Sequence, residues 1–222
     1  FSKTKEETLR QWGHERVLED AVRVVRTVRP LVITSVFVGG PSDGHGNHAT
    51  AGEIAQEVYK AAADPAQFPD QIRAGLRPWQ ALKVYARVPV RAFTPRGIFD
   101  SASGVYTPNR IYDFVHQKWI EGQPSVSVAV QEGGYDPLLA ASYTQVARQG
   151  LAEQRTQLSG IAVPDLGPAS TPYHLYASQV KTSGTESSYF AGVDVSLAGI
   201  ADLAPGEDTA ALRQQLAAIN KD

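Results

Sequence analysis

An amphipathic helix followed directly by an almost wholly apolar strand is the feature that most constrains this fold. Residues 15–28 repeat valine, leucine and alanine at helical spacing and carry charged side chains on the other face. The helix should end before Pro30, because proline disfavours helical geometry in the residue that precedes it. Residues 31–38, Leu-Val-Ile-Thr-Ser-Val-Phe-Val, are apolar on both faces, which is typical of a parallel strand covered by helices. We therefore expect an α/β fold with a mostly parallel sheet and helices on both faces.

The rest of the chain is predicted to complete one domain over residues 1–222. Thr50 and Glu53 have the spacing of a capping box at a helix start, and Asp136-Pro137 offers an N-cap followed by proline. The polar residues 181–188 are expected to form a mobile surface loop. Helices are predicted over 50–63, from Asp136 to about 154 and over 208–219, and strands over 82–88, 125–130 and 173–180.

Composition excludes several classes of protein. The net charge of -2 and the pI near 6.2 leave no basic field for nucleic acid. The longest apolar run has eight residues, Leu31 to Val38, whereas a membrane-spanning helix needs about 20. Cysteine is absent, so any metal must be held by histidine and carboxylate. The compartment stays open between cytoplasm and export, and the lack of cysteine is compatible with export.

Residues 39–48, called here the histidine loop, form the one cluster with metal-site character in the sequence. The segment reads Gly-Gly-Pro-Ser-Asp43-Gly-His45-Gly-Asn-His48 and lies between the apolar strand and the next helix. Open α/β sheets bind their ligands beyond the carboxyl ends of the strands, which is where this loop should lie. Two histidines three residues apart can present their rings to one ion. The alternative is an ordinary solvated turn, since Asp, Gly and Asn are common turn residues.

The histidine loop resembles a signature of a known family. Residues 40–52 resemble the second motif of the PIG-L/LmbE family of metal-dependent deacetylases, in which a histidine-x-x-histidine loop follows a core strand. The resemblance implies a Rossmann-like, LmbE-type fold and zinc-dependent hydrolysis of an acetamide on an N-acetylglucosamine-type substrate. Further segments resemble the long bacterial branch of that family: residues 1–4, 7–13, 62–69, 75–80 and 135–137.

The resemblance also assigns roles within the loop. His48 corresponds to a zinc ligand, with another divalent metal as the alternative ion. His45 corresponds to the residue that, protonated, steadies the oxyanion of the tetrahedral intermediate. We expect the carboxylate of Asp43 to orient one of these two histidine rings through a hydrogen bond, as residues around a metal ligand commonly do.

The first signature of the family, histidine-proline-aspartate-aspartate-glutamate, does not occur in this sequence. It would supply the other two metal ligands and the aspartate that acts as general base. We therefore expect this chain to be the carboxy-terminal part of a deacetylase domain, with its N-terminal segment as a partner, and to be inactive alone. A degenerate homologue is the competing explanation.

A non-catalytic carbohydrate-binding or scaffold module of the same fold is the main alternative function. A serine hydrolase is disfavoured, because no G-x-S-x-G elbow occurs. The remaining histidines, His14, His116 and His174, are each isolated in sequence and are expected to be structural or solvated. Trp12, Trp79 and Trp119 could line a sugar groove, although tryptophan is more often simply packed.

Overall fold

The computed structural model describes residues 2–158, 160–182, 184–203 and 209–219. Its α-helices are α1 (Lys5–Trp12), α2 (His14–Val28), α3 (Gly46–Ala61), α4 (Pro69–Arg73), α5 (Tyr143–Ala152), α6 (Arg155–Leu158) and α7 (Ala210–Ile219). Its strands are β1 (Val32–Ser35), β2 (Lys83–Arg87), β3 (Ile98–Asp100), β4 (Val105–Thr107), β5 (Arg110–Asp113), β6 (Lys118–Glu121), β7 (Val128–Gln131), β8 (Tyr135–Asp136), β9 (Ala141–Ser142) and β10 (Ser170–Ser178). Short 3-10 helices cover Pro41–Asp43, Val90–Ala92 and Leu197–Leu203.

The main sheet is mixed, with strand order β1-β2-β10-β7. β1 and β2 are parallel, and α3 lies in the connection between them, as a parallel pair requires. β10 is antiparallel to both β2 and β7. The prediction of an α/β protein is confirmed, but the prediction of a mostly parallel sheet is wrong. The apolar run at 31–38 correctly indicated one parallel strand, and it carried no information about strands far along the chain.

Small antiparallel hairpins surround this sheet. β3 pairs with β4, β5 with β6, and β8 with β9. Residues of the β5–β6 hairpin line the same cavity as residues of the histidine loop. Ile111 on β5 packs into the main core with Val38, Val84 and Tyr176.

A second apolar cluster joins α2 to α3. Leu18, Val22 and Val25 of α2 pack against Ile54 and Val58 of α3, as the helical spacing in residues 15–28 predicted. At the far end of α2, the guanidinium of Arg26 is fully buried and donates to main-chain oxygens of Ala61, Ala62, Asp64, Gln67 and Phe68. Arg26 therefore fixes the chain where it leaves α3.

Two predicted helix starts are wrong. α3 begins at Gly46, so Thr50 and Glu53 are buried residues inside the helix rather than its cap. α5 begins at Tyr143, where Ser142 and Gln145 form the capping box. Asp136 instead accepts the amides of two following leucines and stabilises a turn. Other predicted elements occur with shifted ends, and residue 208, the predicted start of the last helix, lies outside the described residues.

Candidate functional site

The histidine loop is held by the buried side chain of Asp43. Its carboxylate accepts hydrogen bonds from the amides of Val38 at 3.1 Å, Gly39 at 2.7 Å and Gly40 at 3.1 Å. Burial raises the pKa of Asp43, while these three amides oppose that rise by stabilising the ionised form. The carboxylate is thus engaged with the backbone of its own loop.

His48 takes its orientation from the main chain of Asp43 rather than from the carboxylate. Its Nδ1 lies 3.0 Å from the carbonyl oxygen of Asp43. A carbonyl oxygen can only accept, so Nδ1 must carry the proton. In the neutral ring the lone pair is therefore on Nε2, the form in which histidine ligates a metal. The catalytic role expected for Asp43 stays a prediction.

The two loop histidines are stacked on each other. The ring centroids of His45 and His48 are 3.7 Å apart, and Phe37 stacks on His48 at 4.0 Å. Burial, and next the neighbouring His48, lower the pKa of His45. Both causes disfavour the imidazolium form in the free chain.

A cavity of about 440 Å³ opens beside the loop. Of the three predicted site residues, His45 is the one that lines it. Aromatic rings of Tyr112, Phe114 and Trp119 and the charged groups of Asp100 and Arg110 form other parts of its wall. The guanidinium of Arg110 lies 4.2 Å from the centre of the Trp119 ring. Such a mixture of apolar faces and a few polar groups is typical of small-molecule sites.

A different cluster has the composition of a metal site. Among the residues that the structure describes, His14, Glu53 and Glu57 are the one set of three such ligands that converge, with ligand atoms within 4.8 Å of one another. In the sequence, His14 is isolated from the other histidines, and the pattern that could have pointed to this cluster is a pair of acids on the next helix. The missed signal was the four-residue spacing of Glu53 and Glu57, which places both carboxylates on one face of α3.

This cluster is also an ion-pair network. Nε2 of His14 lies 2.7 Å from Oε2 of Glu57 and 3.7 Å from Oε1 of Glu53. Nζ of Lys5 lies 2.5 Å from Oε2 of Glu53. Burial raises the pKa of Glu57, while His14 opposes that rise. The network joins α1 and the start of α2 to α3.

The polar segment 181–188 contains a further group that sequence analysis missed. Within the part of this segment that the structure describes, Glu186 is buried and forms an ion pair with the fully buried Lys83, Nζ to Oε1 at 2.5 Å. The hydroxyl of Tyr85 donates to the other carboxylate oxygen of Glu186. Residue 186 is therefore packed against the sheet, contrary to the mobile loop that was predicted.

The remaining histidines and tryptophans that the sequence pointed out do not share one environment. His116 pairs with Asp113 at 2.7 Å, and Nδ1 of His174 donates to the carbonyl oxygen of Ser125 at 2.8 Å. Trp79 donates to the carbonyl oxygen of Pro30, whereas Trp119 lines the cavity.

Comparisons with known protein families and with curated proteins find no match to this chain. None of the helices in the described ranges has both the length and the apolar character needed to cross a bilayer.

Proposed function

We propose that this chain is one part of a zinc-dependent N-deacetylase with a Rossmann-like, LmbE-type fold. The substrate would carry an acetamide of the N-acetylglucosamine type. The observation that carries this proposal is the orientation of His48, whose Nδ1 is bonded to a carbonyl oxygen while His45 beside it lines an aromatic cavity. In this arrangement His48 would be the metal ligand, and His45 beside it would face the substrate.

The histidine loop fits one zinc ligand. Catalytic zinc sites use about three protein ligands, so the proposal assigns the other two to an N-terminal segment that carries the first family signature. Bound zinc would lower the pKa of its water to about 7 and would polarise the acetamide carbonyl. The same segment would supply the aspartate that acts as general base.

The chain's own residues would orient the reacting groups. Asp43 holds the loop backbone through three amides, and its carbonyl oxygen fixes the tautomer of His48. His45 lines the cavity and would donate to the oxyanion. Trp119 and Arg110 would contact the sugar, since the indole offers an apolar face and the guanidinium donates hydrogen bonds to hydroxyl oxygens.

The test compares two histidine variants in a protein that contains both signatures. His48→Ala should abolish zinc binding measured by metal analysis after dialysis. His45→Ala should retain zinc and lower kcat by about 10²-fold or more. His116→Ala, which changes an exposed histidine outside the cavity wall, should leave both measurements unchanged. Equal zinc loss in the two loop variants would contradict the assigned roles.

A non-catalytic carbohydrate-binding module is the second candidate function, and the aromatic lining of the cavity favours it. Such a module would bind an N-acetylated sugar without zinc and would lose affinity on Trp119→Ala. Zinc at one equivalent, together with activity lost on chelation, would instead support the deacetylase.

A further inference from the structure

The second cluster of ionisable residues lies on helices and uses none of the histidine-loop side chains. His14 is the first residue of α2, and Glu53 and Glu57 are one turn apart on α3. We propose that His14, Glu53 and Glu57 form a divalent-cation site. The proposal does not depend on the deacetylase function, because the ligands are different residues.

The distances between the ligand atoms suit one ion. Two ligand atoms that each lie about 2.1 Å from a metal are about 3.0–3.4 Å apart in octahedral or tetrahedral geometry. Nε2 of His14 lies 2.7 Å from the nearest oxygen of Glu57 and 3.7 Å from that of Glu53. The first distance is slightly shorter and the second slightly longer than the range expected for two ligands of one ion. The ligand atoms of all three residues lie within 4.8 Å of one another, so small side-chain rotations would bring them to one ion.

The electrostatics of the cluster also favour a cation. Glu53 is only 7% exposed, and its Oε2 accepts no aligned hydrogen bond although Nζ of Lys5 lies close to it. Two carboxylates one helical turn apart repel each other, and burial strengthens that repulsion. One imidazole with two carboxylates is a donor set for zinc, manganese or ferrous iron.

Solvent can reach two of the three ligands. The side chains of His14 and Glu57 are 34% and 25% exposed, and Glu57 lines a second cavity of about 340 Å³. An ion could therefore enter from the Glu57 side and keep water in its remaining positions.

Lys5 is the resident cation that an incoming ion would have to displace from Glu53. Its Nζ also lies 4.7 Å from the centre of the Phe114 ring, a second favourable contact that does not involve Glu53. If the cluster binds metal, removal of this ammonium should raise the affinity. If the cluster is only an ion-pair network, removal of Lys5 should create no metal affinity.

The experiment titrates the 222-residue chain with Co²⁺ and follows visible absorption, with Zn²⁺ as competitor. The wild type should bind one equivalent. Glu57→Gln and His14→Gln should each weaken binding by about tenfold or more. Lys5→Gln should tighten it. Asp20→Asn is the control, because Asp20 is an exposed acid on α2 that is not part of the cluster, so binding should not change.

The outcomes separate this site from the histidine loop. His48→Ala should leave Co²⁺ binding by the chain intact. Loss of binding in His48→Ala with none in Glu57→Gln would overturn this proposal while supporting the loop as a metal site. Absence of Co²⁺ binding at millimolar concentration in the wild type and in Lys5→Gln, with both folded by circular dichroism, would also overturn it.

Discussion

The histidine loop and the described residues of the segment 181–188, called here the Glu186 loop, each contain one buried carboxylate, but the two carboxylates make different kinds of contact. Asp43 binds amides three to five residues away in its own loop. Glu186 binds Lys83 and Tyr85, more than 100 residues earlier in the chain. The carboxylate of Asp43 is therefore held by uncharged amides of nearby residues. The carboxylate of Glu186 is held by a buried ion pair with a distant segment of the chain.

This difference explains why the two loops looked so unlike in sequence. Pro-Ser-Asp-Gly is a recognisable turn, although we expected its aspartate to orient a histidine ring, and the carboxylate instead binds its own backbone. Nothing local to Glu186 indicates that a buried lysine on β2 faces it. A polar segment can thus be anchored by the fold as firmly as a turn is anchored by its own residues.

The largest effect is expected from Glu186→Ala. The change leaves the ammonium of Lys83 fully buried without its counter-charge, which typically costs about 3–5 kcal/mol. The free energy of unfolding from urea titration measures it. Glu121→Ala, which removes an exposed acid 3.9 Å from Arg110, should cost less than about 1 kcal/mol. A loss for Glu186→Ala as small as that of this control would show that the ion pair does not anchor the loop.

Asp43→Ala should destabilise the protein by about 2–3 kcal/mol, because the buried amides of Val38 and Gly39 lose their acceptor. Asp43→Asn retains one acceptor oxygen and should cost clearly less. Urea titration of both variants gives the comparison. If Asp43→Asn is as damaging as Asp43→Ala, the negative charge rather than the hydrogen bonds stabilises the loop.

Gly52→Ala tests the packing of α3 against the histidine loop. A Cβ at this position would overlap the amide nitrogen of Gly39, so helix and loop must separate. We expect a loss of about 1–3 kcal/mol, typical of an overpacked interior. Gly150→Ala in α5 has open space around it and should instead stabilise the protein by about 0.5–1 kcal/mol. Stabilisation by both changes would mean that α3 can move away from the loop freely.

The smallest effect is a pH dependence that arises from His45. Its pKa is lowered on folding, so the unfolded chain binds more protons there and folding is favoured as pH rises. The stability contributed by neutral His45 is present above the unfolded pKa of about 6.5 and is lost as pH falls through it toward the folded value. In metal-free buffer, wild type should therefore lose more stability than His45→Gln between about pH 7.5 and 5.5. Parallel stability curves for the two proteins would contradict a lowered pKa at His45.

Regular elements with strong local patterns were predicted well. The amphipathic helix α2 occurs close to its expected position, because its hydrophobic period indicates which face is buried. Strand β2 lies within the predicted residues 82–88. The start of α5 was missed because Asp136-Pro137 and the Ser142 capping box are both plausible starts in sequence. The placement of Asp43 and His45 between strand β1 and the next helix was predictable, whereas His48 lies in the first turn of α3, and its bond to a main-chain oxygen was not foreseen.

The sequence alone determined the local structure of this protein: its amphipathic helices, the apolar strand before the histidine loop, and a donor set without cysteine. Tertiary structure decided the direction of β10, the burial of Glu186 against Lys83 and the meeting of His14 with Glu53 and Glu57. The physical reason is that hydrophobic periodicity and turn chemistry act over a few residues. Charge pairing across the fold depends instead on which distant segments the core brings together.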